Sequence, residues 1–340
     1  MKPPLFLALF QKRIDGDDAL LELARLRFEE ACLGIEVYAK TPDELNRLLR
    51  FRPTPESPVV VHMDRGVDLF KEEGLHQIAE FAGRFAEKVF GLVIHDQSKI
   101  AAFIDGYTAA LREIGKRIKK GPYLFIEYAT GLEPDLFLDI FERVRDMERI
   151  SACVDIGHIG LKITRDAYAL KHPGKNVCAL TPNDPGLPDV MEDLEDSINS
   201  ALPGVLEVIR KLGKLKKHVH FHMHDAHPLS TFSPFGVSDH LSFLEEIPIP
   251  FEHRGRISLP LMFGPSGLSE IVNASLIALS PERTSFSLEI HPTEGRSALG
   301  CASFLFDHWE DRTNAEKMNC WLSVLQQNHQ LLLDEYRKSL

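Results

Sequence analysis

Six segments of the chain each place a carboxylate or an imidazole at or just after the end of an apolar run. They are VVVHMD (59–64), LVIHD (92–96), YLFIEY (123–128), ACVDIGH (152–158), FSLEIH (286–291) and HVHFHMHD (218–225). Carboxylate and imidazole groups are the side chains that bind divalent and transition-metal cations. One such group after a buried strand is common, but six in series indicate that the groups act together at one site. The series predicts a metal centre assembled from residues more than 200 positions apart.

Three acidic residues, Glu127, Asp155 and Glu289, lie at the ends of predicted strands with no basic residue beside them. A buried carboxylate must be paired, hydrogen-bonded, protonated or bound to metal, because its unpaired burial is too costly. The alternative is that each lies at the solvent-exposed end of its strand and forms an ion pair with a loop lysine or arginine. That alternative is favoured for any one of them, but a common cation is favoured for the set.

The histidine-rich segment alternates its imidazoles, so that His218, His220, His222 and His224 share one face of a strand. They cannot all bind one ion, because the outer pair lies about 20 Å apart along a strand. His222 is the favoured ligand, with His224 or Asp225 next. His218 and His220 are interpreted as hydrogen-bonded structural residues.

His62 and His95 end the third and fourth predicted strands. An imidazole in that place is a candidate metal ligand, general base or phosphate contact. Each, taken singly, is as readily a structural histidine. Glu36, in GIEVY, could reach the same interior and is interpreted as structural.

Two glycine-containing turns could bring further groups to the site. His158 follows Asp155 by three residues and reaches the same place if the chain turns sharply, which Gly157 and Gly160 permit. The segment GPSGLSEI (264–271) has backbone amides at a helix start that could hold a phosphate. A plain loop-to-helix connection explains that segment equally well.

Alternating strands and helices position all these residues. The predicted strands are Leu5–Phe10, Gly34–Ala39, Val59–His62, Gly91–His95, Tyr123–Glu127, Ser151–Asp155, His218–His222 and Ser285–His291. Eight strands separated by helices favour a (β/α)8 TIM barrel, whose strand ends converge on one mouth. We expect one domain over 1–340, with a C-terminal helical extension at 313–340. Loop insertions are expected after strands 6 and 7, at 171–190 and 226–262.

Composition limits the classes of partner. The chain has 340 residues, 44% hydrophobic and 26% charged, with a net charge of −11. That charge disfavours broad binding of nucleic acid or anionic membranes. Five cysteines without Cys-x-x-Cys spacing predict free thiols in a reducing compartment. The short apolar start does not fit a signal peptide, and no stretch is long enough for a membrane span, so a cytoplasmic protein is expected.

The motifs resemble, in order and spacing, those of the xylose isomerase-like barrel superfamily, which includes sugar isomerases, epimerases and the endonuclease IV family. They are GIEV, the two strand-end histidines, IEYATG, DIGH, HMHD and the last LE, and they run from about Gly34 to His291. The resemblance implies a shared metal quartet of Glu127, Asp155, His222 and Glu289, with His158 a substrate contact or ligand. In the endonuclease-like members, histidines matching His62 and His95 hold a further zinc, bridged through the residue matching Glu127.

The chain departs from the endonuclease-like pattern at a third metal site. Those members carry an Asp-x-His before a Leu-Pro-Leu-Gly-type loop, where this chain has Arg256 and Ser258. Asp239 and His240, in the preceding insertion, are the alternative source of ligands. A complete three-metal cluster is therefore not expected.

The leading hypothesis is a metal-dependent isomerase or epimerase acting on a small sugar-like substrate. One or two Mn²⁺ or Zn²⁺ ions per chain would stabilise an enediolate. Glu127 and Glu289 would transfer the proton, with His158 nearby. The alternatives are an endonuclease IV-like two-metal phosphodiesterase and a non-catalytic barrel that binds metal or sugar. The C-terminal helix could pack on the barrel or on a second copy in a homo-oligomer.

Overall fold

The computed structural model describes residues 2–10, 17–118, 120–175, 187–226, 231, 240–244, 247–253, 255–259, 261–290 and 314–339. These residues fall into two units. The first comprises Met1–Asp155, Arg210–His222 and Leu276–Leu288, and the second comprises Ile156–Ile209, Met223–Ser275 and Glu289–Leu340. The expectation of a single domain over 1–340 stays a prediction.

Eight parallel strands close into a barrel. They are β1 (Leu5–Leu9), β2 (Gly34–Tyr38), β3 (Val59–His62), β4 (Gly91–His95), β5 (Tyr123–Glu127), β6 (Ile150–Asp155), β7 (Val219–Met223) and β10 (Thr284–Leu288). Their order around the barrel is β1-β10-β7-β6-β5-β4-β3-β2. Because neighbouring strands run parallel, their carboxyl ends meet at one end of the barrel. The predicted (β/α)8 architecture is confirmed.

The barrel interior fixes which way the strand-end residues point. Leu7, Val60, Val93, Phe125 and Cys153 form one buried cluster. Four of these five residues lie two positions before a strand-end residue that was identified above as a candidate metal ligand. Side chains two apart on a strand share a face, so those strand-end groups also face inwards. The register supports this, since Glu127 lies level with a histidine on β4.

The helices that alternate with the first five strands follow from local signals. They are α1 (Asp18–Glu30), α2 (Pro42–Leu48), α3 (Glu72–Arg84), α4 (Ile100–Arg117) and α5 (Pro134–Arg143). Asp17 caps α1 by accepting a hydrogen bond from the Leu20 amide. Thr41 caps α2 by accepting one from the Glu44 amide.

Besides β7 and β10, the described residues after β6 form five helices and one further pair of strands. They are α6 (Ile156–Lys171), α7 (Leu187–Ile198), α8 (Ala201–Gly213), the antiparallel pair β8 (Ile247–His253) and β9 (Arg256–Leu259), α9 (Gly264–Leu279) and α10 (Asn314–Lys338). Of the insertion expected at 171–190, residues 176–186 lie outside the described residues and 187–190 belong to α7, whereas the insertion expected at 226–262 contains β8 and β9. The predicted terminal helix is confirmed as α10.

The sequence missed α6. Gly157 and Gly160 indicated a sharp turn, but both lie in this helix. A Cβ on Gly157 would lie 2.1 Å from the His224 ring, and one on Gly160 would lie 2.5 Å from the Met262 sulfur. The two glycines therefore allow close packing rather than a turn.

The prolines in two regions are accommodated by the local structure. Pro203 lies in the first turn of α8, where its missing N–H costs nothing. The region 226–262, predicted to be irregular, includes β8 and β9. A two-stranded sheet tolerates Pro248 and Pro250 because each strand pairs on one side only.

A buried lysine binds the chain near the start of β6. Lys217 is 4% exposed, and its ammonium donates to the carbonyls of Val144, Met147 and Ile150 at 2.8, 2.7 and 2.8 Å. Burial lowers the pKa of this side chain to about 8. The three carbonyl acceptors replace the hydrogen bonds that the ammonium would make to water in the unfolded chain.

Candidate metal centre

Glu127, at the end of β5, lies between histidines from the two preceding strands. Its Oε2 atom is 2.8 Å from Nε2 of His62 and 3.3 Å from Nε2 of His95. His62 and Glu127 are both 2% exposed. The ligand atoms of the three residues lie within 4.8 Å of one another, which is compatible with one cation.

The tautomer of His62 makes this arrangement a donor set for a cation. The Nδ1–H of His62 donates to the backbone carbonyl of Met63 at 3.2 Å, so a neutral ring presents a lone pair at Nε2. Glu127 Oε2 is buried and accepts no hydrogen bond from the described residues, although two ring nitrogens approach it. An imidazole whose other nitrogen donates to a backbone carbonyl is the usual form of a metal ligand. The residues present therefore fit a bound divalent cation.

The other oxygen of Glu127 faces a second set of ligands. Its Oε1 atom is 3.7 Å from Nδ1 of His222 on β7. Asp155, at the end of β6, has a carboxylate oxygen within 4.8 Å of the ligand atoms of both residues. Asp155 and His222 are opposite each other in the sheet and fully buried. The two oxygens of Glu127 therefore face different imidazoles, Oε2 those of His62 and His95 and Oε1 that of His222.

The neighbouring imidazoles determine the charge on Glu127. Burial raises the pKa of its carboxyl, but His95, His62 and His222 in their protonated forms together outweigh burial and hold the pKa well below its usual value. The carboxylate therefore stays ionised inside the barrel. An ionised carboxylate is the form that binds a metal.

Two buried acids that support these ligands were not identified as functional from the sequence. Glu36 on β2 accepts hydrogen bonds from Nε2 of His220 at 3.1 Å and from Nε2 of His222 at 2.9 Å. Asp96 follows His95 and accepts the backbone amides of Ala129 and Thr130, fixing the loop after Glu127. Burial raises the pKa of Asp96 to about 7, and the Glu127 charge adds to this. The HD pair at 95–96 was the available sequence signal.

The second unit contains its own cluster of imidazoles. The rings of His224 and His240 stack at 4.1 Å, and the His158 ring is 5.7 Å from that of His240. Nε2 of His240 lies 3.6 Å from Oε2 of Glu289. His240, considered above as a substitute ligand, is therefore beside two of the predicted site residues, His158 and Glu289. The place of Glu289 in one quartet with Glu127, Asp155 and His222 stays a prediction.

The backbone at His240 is constrained. Its φ of 46° lies in the left-handed region that few residues other than glycine adopt. The next residue, Leu241, is fixed by two backbone hydrogen bonds to Asp225, at 2.8 and 2.9 Å. Such strained residues persist only where their surroundings hold them, often at functional sites.

Asp225 is a structural residue rather than the candidate ligand considered above. Its carboxylate accepts the amides of Ala226, Phe263 and Gly264 at 2.8, 3.0 and 2.7 Å. The last two amides open α9, so the helix start proposed for phosphate is occupied by this side chain. The plain connection is the favoured interpretation of 264–271.

The remaining sequence expectations have mixed outcomes. His218 and His220 both bind the hydroxyl of Ser285, at 3.1 and 2.7 Å, as expected of structural histidines. Cys32 and Cys153 are free thiols. Asp239 and His291 lie outside the described residues, as do Cys178 and Cys301. Only the backbone is described for Arg256 and Ser258.

No protein-family model matches the chain, and no curated protein matches it. Among solved structures, one described as "The crystal structure of AsfvAP:AG" is 15% identical, with a TM-score of 0.49. The match covers 95% of this chain and 100% of that chain. A function therefore has to be argued from the side chains of this chain.

Among the described residues, no helix has both the length and the apolar character needed to cross a lipid bilayer.

Proposed function

We propose that this protein is a two-metal hydrolase that cleaves phosphodiester bonds. The observation that carries the proposal is Glu127, whose Oε2 lies near His62 and His95 and whose Oε1 faces His222. Asp155 lies within 4.8 Å of the ligand atoms of Glu127 and His222. A carboxylate between two cations is typical of phosphatases and nucleases, in which paired ions act on one phosphoryl group. The motif resemblance to endonuclease IV members supports the same reaction.

The same geometry weighs against proton transfer by Glu127. An isomerase base needs a carboxylate oxygen that faces the substrate carbon. Both oxygens of Glu127 instead face imidazoles, at 2.8 Å on one side and 3.7 Å on the other. A residue enclosed in this way is suited to bind cations rather than to shuttle protons. Hydrolysis is therefore favoured over the sugar isomerase reaction.

Each of these residues has a proposed role in binding the two cations. His62 and His95 would bind one cation and Asp155 and His222 the other, with Glu127 common to both. Divalent cations bound there supply Lewis-acid chemistry, stabilising charge on the phosphoryl group and lowering the pKa of water. The buried barrel interior keeps the local dielectric low, which strengthens those interactions. The net charge of −11 indicates that substrate is held mainly through its phosphate at the cations.

Metal content and cleavage test the proposal together. We expect the wild type to hold two Zn²⁺ or Mn²⁺ ions per chain, and to cleave bis(p-nitrophenyl) phosphate or an abasic-site duplex until a chelator is added. His95→Ala should retain about one ion, and Glu127→Gln should lose most of both and all cleavage. His76→Ala is the matched control, because His76 is an exposed histidine on α3.

Three outcomes would overturn the proposal. A wild type with one ion or none would remove the bridging role of Glu127. Metal-dependent isomerisation of a sugar without phosphodiester cleavage would restore the isomerase. Full metal occupancy with neither activity would favour a binding barrel.

A further inference from the structure

We infer that Glu36 is a positioning residue that fixes the ring of His222 so that Nδ1 faces the metal centre. The inference rests on the proposed function, because it assigns a task to a partner of a proposed ligand. Oε1 of Glu36 accepts the Nε2–H of His222 at 2.9 Å. Both residues are fully buried, so no water competes for this bond.

The consequence follows from the chemistry of a neutral imidazole. Such a ring carries one N–H, and the hydrogen bond made by one nitrogen determines the role of the other. Glu36 retains the proton of His222 at Nε2, so Nδ1 presents its lone pair. That nitrogen is the one 3.7 Å from Glu127, within reach of the ligand set that includes Asp155. Carboxylate partners of this kind orient metal-binding histidines and raise their basicity.

Glu36 is itself held by a column of hydrogen bonds inside the barrel. Its Oε2 atom accepts from Nε2 of His220, whose Nδ1 meets the Ser285 hydroxyl at 2.7 Å. The same hydroxyl is 3.1 Å from Nε2 of His218. The column joins β2, β7 and β10, whose residues are up to 249 positions apart in the chain. Both carboxylate oxygens are therefore bound, which fixes the orientation of the carboxylate plane.

Each oxygen of the Glu36 carboxylate accepts from a different ring, Oε1 from His222 and Oε2 from His220. A glutamine in its place has one acceptor oxygen and one amide, so it can accept from only one ring.

The first test is the tautomer of His222 in the metal-free protein. Long-range ¹H–¹⁵N spectra of histidine-labelled wild type, with His222 assigned by a His222→Gln variant, should show the proton on Nε2. A proton on Nδ1 would overturn the inference. The tautomer is read on the wild type without any substrate, and the variant serves only to assign the signal, so the result stands apart from failure of the hydrolase proposal.

The second test compares two variants, each of which removes a different hydrogen bond of the column. Glu36→Gln should weaken Zn²⁺ binding at the His222 site about 10- to 100-fold, measured by competition with a chromophoric chelator. Ser285→Ala, the matched control, breaks the column beyond His220 and leaves the Glu36–His222 bond intact. It should change the Zn²⁺ affinity less than about threefold. An equal loss of Zn²⁺ affinity in the two variants would show that the substitutions act only by disturbing the packing of the barrel interior. An unchanged Zn²⁺ affinity in Glu36→Gln would exclude the positioning role.

Discussion

The C-terminal helix has a polar side chain whose removal should loosen the segment that carries His240. Asn328 on α10 is fully buried, and its Oδ1 accepts the Phe243 amide at 3.0 Å. Its Nδ2 donates to the Ser242 hydroxyl and to the Val324 carbonyl, both at 2.8 Å. Leucine has nearly the same size, so Asn328→Leu removes the hydrogen bonds without leaving a large cavity.

The expected loss can be worked out from these bonds. Leaving the buried Phe243 amide without an acceptor costs about 1–3 kcal/mol, and each other bond lost costs about 0.5–1.5 kcal/mol. The added apolar burial of leucine offsets about 1 kcal/mol of this. The local stability of 240–244 should therefore fall by about 1–5 kcal/mol. Since 1.4 kcal/mol is a factor of ten, amide exchange there should accelerate about fivefold or more.

Hydrogen exchange read by mass spectrometry would measure this at peptides covering 240–244. Ser323→Ala on the same helix is the control, because its hydroxyl binds only the Asn319 carbonyl of α10 and is exposed. That variant should exchange like the wild type across 240–244. Wild-type exchange in Asn328→Leu would refute the reasoning, and so would equal acceleration in both variants.

Two further predictions concern the barrel itself. Lys217→Met removes the donor to three backbone carbonyls. We expect it to lower the free energy of unfolding in urea by about 2–4 kcal/mol while Zn²⁺ affinity is retained. A variant as stable as wild type would contradict this. Burial lowers the pKa of His218 to about 3, below the value of 6.5 expected for the unfolded chain. The unfolded state thus binds more protons in that window, so stability is complete above pH 6.5 and falls by up to about 1.4 kcal/mol per pH unit towards pH 3. His218→Phe should flatten that slope in urea unfolding measured from pH 7 to pH 4, and an unchanged slope would show that another group is responsible.

The barrel could be predicted because its signals are local. Three strands, β3, β4 and β5, have the predicted bounds, since each is a short apolar run between a glycine or proline and a polar residue. The helix α6 could not be predicted in the same way. Its glycines lower helix propensity, and the reason for them is the distant ring of His224, which no local pattern contains.

Metal-capable residues at strand ends were also recognisable from the sequence, because a period of two and a closed sheet determine where such residues point. His62, His95, Glu127, Asp155 and His222 were all identified in that way. The roles of their partners were not, since Glu36 and Asp225 are simply buried acids until their donors are known. Three backbone amides make Asp225 a structural residue, and the hydrogen bond to the candidate ligand His222 gives Glu36 its proposed role.

The sequence by itself determined the order of strands and helices and the kinds of ligand at the barrel mouth, because alternation and residue type are properties of neighbouring positions. Only the tertiary structure decided which oxygen of Glu127 faces which imidazole, and which nitrogen of His222 faces Glu36. Those choices depend on hydrogen bonds between β2 and β7, whose partners lie 186 residues apart. Bonds of that kind exist only once the sheet has closed.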